Sequence, residues 1–356
     1  MYIVDAHQDI AYNALCFNRN YRRSALKKRE FETGTPIPQH TGIATIGLPE
    51  AIAGRVALIF ATLFVAPRSK QPSPYDQVDY ATPQEAYRLA SQQLDYYDRI
   101  VDDDERLQMI KTQGDLEAVL ATWEAGKPIK ARKQGLVVLM EGADPIIEPP
   151  QFEEWYERGA RIVGLSWRQT RYAGGTGAPG PLTDLGRELL NVMMDYHVTL
   201  DLSHISEQAY FEALDAYDGS IIASHSNPRK FSDSDRHLTD NMILALAERD
   251  GVMGVVLYNK FLDGAWTQTD GKRGVTMSRV VEVIDYVCQL TGSARHVGIG
   301  SDFDGGFGAE SVPLEIDTVA DLWRVGDALR ERGFDEDDVA AIMGGNMTRK
   351  LRESLP

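Results

Sequence analysis

Cysteine is scarce in this sequence, and basic residues are outnumbered by acidic ones. Cys16 and Cys288 are the two cysteines among 356 residues, and their wide separation excludes both a disulfide framework and a C-x-x-C metal site. The 37 Lys and Arg residues stand against 53 Asp and Glu residues, for a formal net charge of -16. This balance argues against nucleic acid as a partner, because phosphate binding needs clustered cations.

Long apolar runs are missing as well. No segment approaches the roughly 20 consecutive apolar residues of a membrane-spanning helix, and no basic-then-apolar leader precedes Val4. A cytoplasmic protein without a membrane partner is therefore expected. The 43% hydrophobic and 25% charged content is that of an ordinary globular chain with a buried core.

Short apolar segments rich in β-branched residues recur along the chain and predict eight strands. They lie at residues 2–9, 54–64, 135–141, 160–167, 198–204, 220–226, 251–259 and 296–302. Several are almost continuously apolar, which is typical of parallel strands buried on both faces. Helical patterns occur at residues 83–100, 150–159, 182–197, 239–250 and 276–290, and two more follow near 317–332 and 335–343.

This alternation of strand and helix predicts a (β/α)₈ barrel of the TIM type. The interval between the second and third strands is long for one βα unit, so an inserted helical hairpin is expected there. Neither an internal repeat nor a linker rich in Pro, Gly or Ser marks a second domain. Residues 1–356 are predicted to form a single domain.

Side chains that bind metals cluster at the predicted carboxyl ends of the strands, where the active sites of such barrels lie. These residues are His7, Asp9, Glu141, His204, His225 and Asp302. Each one alone has an ordinary explanation as a loop or capping residue, but their convergence on one rim indicates cations. Imidazole and carboxylate ligands without thiolates favour Zn²⁺, with Mn²⁺, Fe²⁺ or Co²⁺ as alternatives.

The number of candidate ligands suggests two metal ions. Six ligands over-fill one tetrahedral zinc, whereas a carboxylate such as Glu141 can bridge a pair of ions that hold and acidify a shared water. In the first strand, strict alternation places Asp5, His7 and Asp9 on one face. Asp5 is then expected inside the barrel, orienting His7 or a neighbouring ligand.

The motifs that carry these residues resemble those of the membrane (renal) dipeptidase family of dinuclear zinc peptidases. The similar segments span nearly the whole chain and read VDAHQDI, MEGADPI, DLSHIS, ASHSN, SDRHLTD, VGIGSDFDGG and GGNMTR. The resemblance implies that the first metal is bound by His7, Asp9 and Asp302 and the second by His204 and His225. Glu141 would bridge the two metals.

The resemblance also implies how a substrate is held. Arg236 would receive the terminal carboxylate of the substrate, a task for which a guanidinium fork is well shaped. Asp302 is the candidate that accepts and relays a proton, and together with Glu141 it forms the predicted catalytic pair. Tyr258 is a further candidate substrate-binding residue, and a homodimer is a family-level expectation.

One position departs from the family pattern. Trp167 stands where the family has a histidine thought to stabilise the oxyanion, and an indole N–H cannot carry charge. Either Arg168 or Arg171 substitutes for it, or the substrate differs from an ordinary dipeptide. Trp167 is kept as a candidate substrate-binding residue, and the glycine-rich run 174–181 is expected to form a loop over the site.

The predicted function is that of a metal-dependent, dipeptidase-like hydrolase. A water or hydroxide bridging two zinc ions would attack the amide carbonyl of a dipeptide or a similar small substrate with a free carboxylate. The alternatives are another amidohydrolase-type enzyme, acting on N-acyl amino acids, lactones or phosphoesters, and a catalytically impaired homologue that only binds metal.

Overall fold

A closed parallel barrel lies at the centre of the computed structural model, which describes residues 1–68, 75 and 77–356. Within these residues its eight strands are β1 (Ile3–Gln8), β2 (Val56–Phe64), β3 (Gln134–Glu141), β4 (Ala160–Gly164), β5 (Thr199–Asp201), β6 (Ile221–Ala223), β7 (Val252–Val255) and β8 (Val297–Ile299). They are neighbours in the order β2, β1, β8, β7, β6, β5, β4 and β3, and the pairing of β3 with β2 closes the ring. The predicted (β/α)₈ barrel is confirmed.

Helices cover the outside of the barrel and connect its strands. The α-helices that follow β3 to β7 are Phe152–Arg158, Asp184–Asp195, Glu207–Ala216, Asp240–Glu248, Asn259–Leu262 and Met277–Thr291. Those after β8 are Trp323–Arg332, Glu336–Ala340 and Asn346–Ser354, and those between β1 and β2 are Ile10–Phe17, Ala25–Glu32, Ile37–Thr41 and Leu48–Ala53. Among the helices of the described residues, none combines the length and apolar character needed to cross a membrane.

The predicted insertion between β2 and β3 contains two helices, Pro83–Asp103 and Gln113–Ala121. A short strand between them, Leu107–Met109, pairs with β3 and fastens the insertion to the barrel. Thr82 begins the first helix, because its side chain accepts a hydrogen bond from the backbone N–H of Glu85 and Pro83 occupies the first turn. Residues 69–74 and 76 of this interval lie outside the described residues.

Strand register decides which side chains reach the same level of the barrel. Glu141 at the end of β3 is in register with Gly164, and Gly164 is in register with Asp201 on the next strand. These three residues therefore share one level at the mouth. Because Gly164 has no side chain, nothing from β4 stands between the two carboxylates.

The first strand does not keep the strict alternation predicted for it. Asp5 pairs with Ile59, but Gln8 pairs with Ala61, so β1 carries one more residue than β2 over this interval. Such a bulge reorients the residues that follow it. The expectation that Asp5 and His7 share a face is wrong for this reason, and His7 enters the mouth without Asp5 beneath it.

Candidate metal centre

The six candidate ligands come together at the carboxyl-terminal mouth of the barrel. Their ligand atoms form three overlapping groups, and within each group the atoms lie within 4.8 Å of one another. The groups are His7, His225 and Asp302, then Glu141, His204 and His225, and finally His7, Asp9 and Glu141. All six residues had been predicted from the sequence alone as candidate metal ligands.

Glu141 lies between two sets of ligands. Its Oε1 is 3.1 Å from Nε2 of His204 and 3.3 Å from Nε2 of His225. Its Oε2 is 3.6 Å from Nε2 of His7, which in turn lies 3.8 Å from Oδ1 of Asp302. The two oxygens of one carboxylate thus face different groups, as a bridge between two ions requires.

Two of the candidate ligands have left-handed backbone conformations. His204, with a φ of 64°, and Asp302, with a φ of 60°, each follow the end of a barrel strand. This conformation is uncommon for residues other than glycine and is concentrated at functional sites. It turns the chain sharply, and both side chains are brought against the same cluster.

The three imidazoles lie side by side, and the rings of His7 and His225 are stacked. The rings of His7 and His225 have centroids 3.5 Å apart, and those of His204 and His225 are 4.9 Å apart. Burial lowers the pKa of all three histidines well below the ordinary value, and the charge of Arg236 lowers it further. The rings are therefore neutral, which is the form that binds a metal.

The pKa values of the carboxyl groups are shifted in the opposite direction. Burial raises the pKa of Glu141 well above its ordinary value, and the charges of Asp9 and Asp302 raise it further. Burial likewise raises the pKa of Asp9 to about 6 and that of Asp302 well above its usual range. Acidic groups this close would be stabilised in their ionised form by divalent cations.

Hydroxyl groups hold the second nitrogen of two histidines. Nδ1 of His204 lies 3.1 Å from Oγ1 of Thr176, and Nδ1 of His225 lies 2.8 Å from Oγ of Ser224. In both rings this leaves Nε2 facing Glu141. Fixing one nitrogen of an imidazole in this way sets its orientation toward a metal.

His7 and its neighbours are arranged differently. Among the described residues, neither ring nitrogen of His7 has a hydrogen-bond partner, although the side chain is buried. Thr62 Oγ1 donates to Oδ1 of Asp9 at 2.6 Å, so the other oxygen of Asp9 is left toward His7. Asp5 accepts hydrogen bonds from the N–H and hydroxyl of Ser301, at 2.7 and 2.6 Å. It thus supports the residue before Asp302 rather than the ring of His7.

Arg236 is buried beside this cluster, with 5% of its surface exposed. Its Nη2 donates to the carbonyl oxygen of His225 at 2.6 Å, and its Nη1 donates to Oγ of Ser226 at 3.3 Å. A guanidinium has five N–H groups, so further donors are available to a ligand. The fold thus places next to the site a residue that the residue pattern alone would have left on the surface.

Of the two aromatic candidates, Trp167 lies against the cluster and Tyr258 packs among other aromatic rings. Trp167 is half-buried between Phe64, at a ring distance of 5.1 Å, and His204, at 6.2 Å. Tyr258 stacks on Phe307 with centroids 4.5 Å apart. Trp167 therefore borders the candidate metal ligands, and its indole adds apolar surface there.

The two arginines proposed as substitutes for the missing histidine differ in their surroundings. Arg171 donates to Oδ1 of Asp144 at 3.2 Å and to the carbonyl oxygens of Ile146 and Ile147 at 2.8 and 3.0 Å. It is thus engaged in fastening the loop after β3, which disfavours it as a substitute. Arg168 is exposed and is the remaining candidate of the pair.

The glycine-rich run is a hairpin rather than an irregular loop. Ala173–Gly175 pairs antiparallel with Ala178–Leu182, and the backbone N–H of Gly177 at its turn donates to Oδ2 of Asp235 at 2.7 Å. The hairpin therefore contacts the segment that carries Arg236.

The sequence did not reveal the polar residues that support the ligands. These are Thr62, Thr176, Asp201 and Ser224. One signal was available, because Asp201 interrupts the apolar segment VTLDL, where an ionisable residue needs buried partners. The hydroxyl residues carry no such signal in a single sequence.

The donor set fits divalent metals. It combines neutral imidazoles with buried carboxylates that repel each other and that a nearby positive charge would stabilise. In addition, the buried ring nitrogens of His7 lack a hydrogen-bond partner among the described residues. Nitrogen and oxygen donors without sulfur suit zinc and its neighbours in the transition series.

A parallel barrel with such a cluster at its mouth defines a metal-dependent hydrolase. The chain belongs to the membrane dipeptidase family, peptidase family M19, whose family model matches residues 1–354. It is therefore a metallohydrolase that acts on peptide bonds.

The individual proteins to which the chain is similar differ from it at most positions of the sequence. An uncharacterized protein encoded in the pqqA 5' region of Klebsiella pneumoniae is 31% identical over 229 residues, which cover 61% of this chain and 81% of that protein. The crystal structure of dipeptidase AC, a metallopeptidase of family M19, superposes with a TM-score of 0.80 at 23% identity over 100% of this chain and 99% of that one. A Rhodobacter sphaeroides metallopeptidase, liganded with a phosphinate mimic of the dipeptide L-Ala-D-Ala, has a TM-score of 0.79 at 22% identity, with 99% of each chain covered.

Proposed function

We propose that the protein is a dipeptidase that holds two divalent metal ions, with zinc the first choice, and cleaves dipeptides with a free terminal carboxylate. The observation that carries this proposal is the position of Glu141, whose Oε1 faces His204 and His225 and whose Oε2 faces His7. When bound, the ions would acidify a water molecule and polarise the scissile carbonyl.

The protein residues divide the remaining tasks. His204 and His225 would hold one ion and His7, Asp9 and Asp302 the other, with Glu141 shared between them. The carboxylate of Asp302 is the group we assign to take a proton from the attacking water and to return it to the leaving amine. Its side chain is 13% exposed, so it borders the space that a substrate would enter.

Arg236 is assigned to the terminal carboxylate of the substrate. Its contacts with His225 and Ser226 fix its position beside the metal ligands, and burial strengthens a charge-assisted pair with the substrate. Phe261 packs near both Arg236 and Tyr258, with its ring 5.7 Å from the guanidinium carbon and 5.0 Å from the tyrosine ring. Tyr258 would therefore contact the same end of the substrate.

A second candidate substrate is an N-acyl amino acid, which Trp167 favours. Such a substrate keeps the carboxylate for Arg236, while its apolar acyl group would lie against the surface formed by Trp167 and Phe64. Lactones and phosphoesters lack the carboxylate and are less well matched. Arg168 would then be the donor that replaces the family histidine if dipeptides are turned over.

The test is a metal analysis combined with a hydrolysis screen. Protein loaded with zinc is assayed against L,L- and L,D-dipeptides, N-acyl amino acids, lactones and phosphoesters, with carboxyl-blocked dipeptides as the matched control. We expect close to two zinc ions per chain and cleavage of substrates with a free carboxylate. Zinc-free protein after metal-replete purification would refute the metal centre, and bound zinc without any hydrolysis would indicate a homologue that only binds metal. Residues 1–356 acting as one domain, a homodimer and a cytoplasmic location stay predictions.

A further inference from the structure

A buried polar network lies directly behind His225. Asp201, on β5, and Ser224, at the end of β6, are 2% and 0% exposed. Oγ of Ser224 lies 2.5 Å from Oδ2 of Asp201 and 2.8 Å from Nδ1 of His225. The three residues form a chain of hydrogen bonds that ends on a candidate metal ligand.

The hydrogen atoms of this chain can be assigned from its partners. An ionised carboxylate only accepts hydrogen bonds, so the single hydrogen of the Ser224 hydroxyl points to Asp201. The serine oxygen must then accept from the ring, and His225 carries its hydrogen on Nδ1. Nε2 is left as a lone-pair donor, and it is this atom that lies 3.3 Å from Glu141 Oε1.

The other oxygen of Asp201 locks the carboxylate in place. Oδ1 accepts from the backbone N–H of Ser203 at 3.0 Å and from that of Ser224 at 2.8 Å. The hydroxyl of Ser203 also accepts from the backbone N–H of His225 at 3.1 Å. Asp201 thus joins the ends of β5 and β6, the two strands that present His204 and His225.

We propose that Asp201 and Ser224 are positioning residues that fix the Nδ1–H tautomer of His225 and thereby prepare its Nε2 for one of the two metal ions. The proposal rests on the metal centre proposed above. His7 offers a contrast, since neither of its ring nitrogens has a partner among the described residues. The tautomer of His225 is therefore set before a metal arrives, whereas no hydrogen bond among the described residues sets that of His7.

Three substitutions separate the roles of the network. Ser224→Ala removes the hydroxyl, and Ser224→Thr retains it as a conservative rescue. Asp201→Asn is more specific, because its amide oxygen must stay toward the two backbone N–H groups and its NH₂ then faces Ser224. The serine would turn its hydrogen to Nδ1 of His225, and the ring would take the opposite tautomer, with hydrogen on Nε2.

A matched control lies on the same strand. Thr199 is buried, and its hydroxyl lies 2.9 Å from Oγ of Ser354, away from the mouth. Thr199→Val removes a buried hydroxyl from β5 without touching the network. It controls for the general loss of a hydrogen bond in this part of the barrel.

The first measurement is the tautomer itself. Histidine-selective ¹⁵N NMR of the metal-free protein, with the ring signals assigned by His225→Gln, should show Nδ1–H for His225 in the wild type and in Ser224→Thr. Asp201→Asn should show Nε2–H. An unchanged His225 tautomer in Asp201→Asn would overturn the proposal, whether or not the protein binds metal.

The second measurement is zinc affinity, by competition with a chromogenic chelator. Ser224→Ala and Asp201→Asn should each raise one of the two zinc dissociation constants by about 10- to 100-fold, the range typical when a hydrogen bond that supports a metal ligand is lost. Ser224→Thr and Thr199→Val should keep both constants. Affinities within about two-fold of wild type in Ser224→Ala, or an equal loss in Thr199→Val, would overturn the positioning role. A wild-type protein without zinc affinity would instead refute the metal centre, and the NMR measurement would still decide the tautomer.

Discussion

Replacing Glu141 by Gln should have opposite effects on the metal-free protein and on the metal-loaded one. Without metal, Glu141 is 5% exposed and lies within 4.8 Å of the ligand oxygen of Asp9. At that separation, and with an effective dielectric constant of about 20, two like charges repel by about 3 kcal/mol. Gln keeps the shape of the side chain and removes this repulsion.

The metal-free variant should therefore unfold at a higher temperature than the metal-free wild type. Protonation already relieves part of the repulsion, because the pKa of Glu141 is raised by burial and by its acidic neighbours. A net gain of about 1 to 3 kcal/mol remains, which for a chain of 356 residues is roughly 1 to 4 °C. A raised pKa favours the folded state at low pH, so the difference should shrink as the pH falls below the pKa of Asp9, which is about 6.

With metal, the same variant should lose both the zinc and the hydrolytic activity, because the shared ligand carries no charge. Differential scanning calorimetry after chelation, metal analysis and a dipeptide assay measure the three effects. Glu148→Gln is the matched control, since Glu148 follows the same strand but is exposed. A metal-free variant that melts at or below the wild-type temperature would refute the repulsion. A variant that keeps zinc and activity would refute the bridge.

Three further predictions concern the metal and the substrate. Chelation should abolish hydrolysis and lower the melting temperature of the wild type, since a ligand at 1,000 times its dissociation constant stabilises the folded state by about 4 kcal/mol; an unchanged melting curve would contradict this. Arg236→Met should raise KM about 10- to 100-fold for substrates with a free carboxylate and leave carboxyl-blocked substrates nearly unchanged, as expected for the loss of a charged hydrogen bond; equal losses for both would contradict an anchoring role. Trp167→His should raise the kcat for dipeptides and Trp167→Phe should not, and steady-state kinetics in which both variants behave alike would show that the missing histidine does not limit turnover.

The alternation of elements could be read from the sequence because it depends on local properties. A buried parallel strand must be apolar on both faces, and an outer helix must be apolar on one face. Each pattern can therefore be recognised within a short segment, such as residues 135–141 for a strand and 276–290 for a helix. The residues of the metal centre could also be predicted from short segments of the sequence. Each of them stands at the end of an apolar segment, and the barrel architecture brings all such ends to one rim.

By itself, then, the sequence determined the barrel, the rim and the six side chains that meet there. The tertiary structure decided how they meet, because distances across a barrel depend on register and closure rather than on any one segment. The extra residue in β1 separated Asp5 from His7, and the register through Gly164 brought Asp201 level with Glu141. The hydrogen bond of Ser224 with Asp201 joins the ends of the neighbouring strands β6 and β5, and that of Arg236 with His225 ties the loop after β6 to the end of that strand. These contacts depend on how the strands pair, which no single segment specifies.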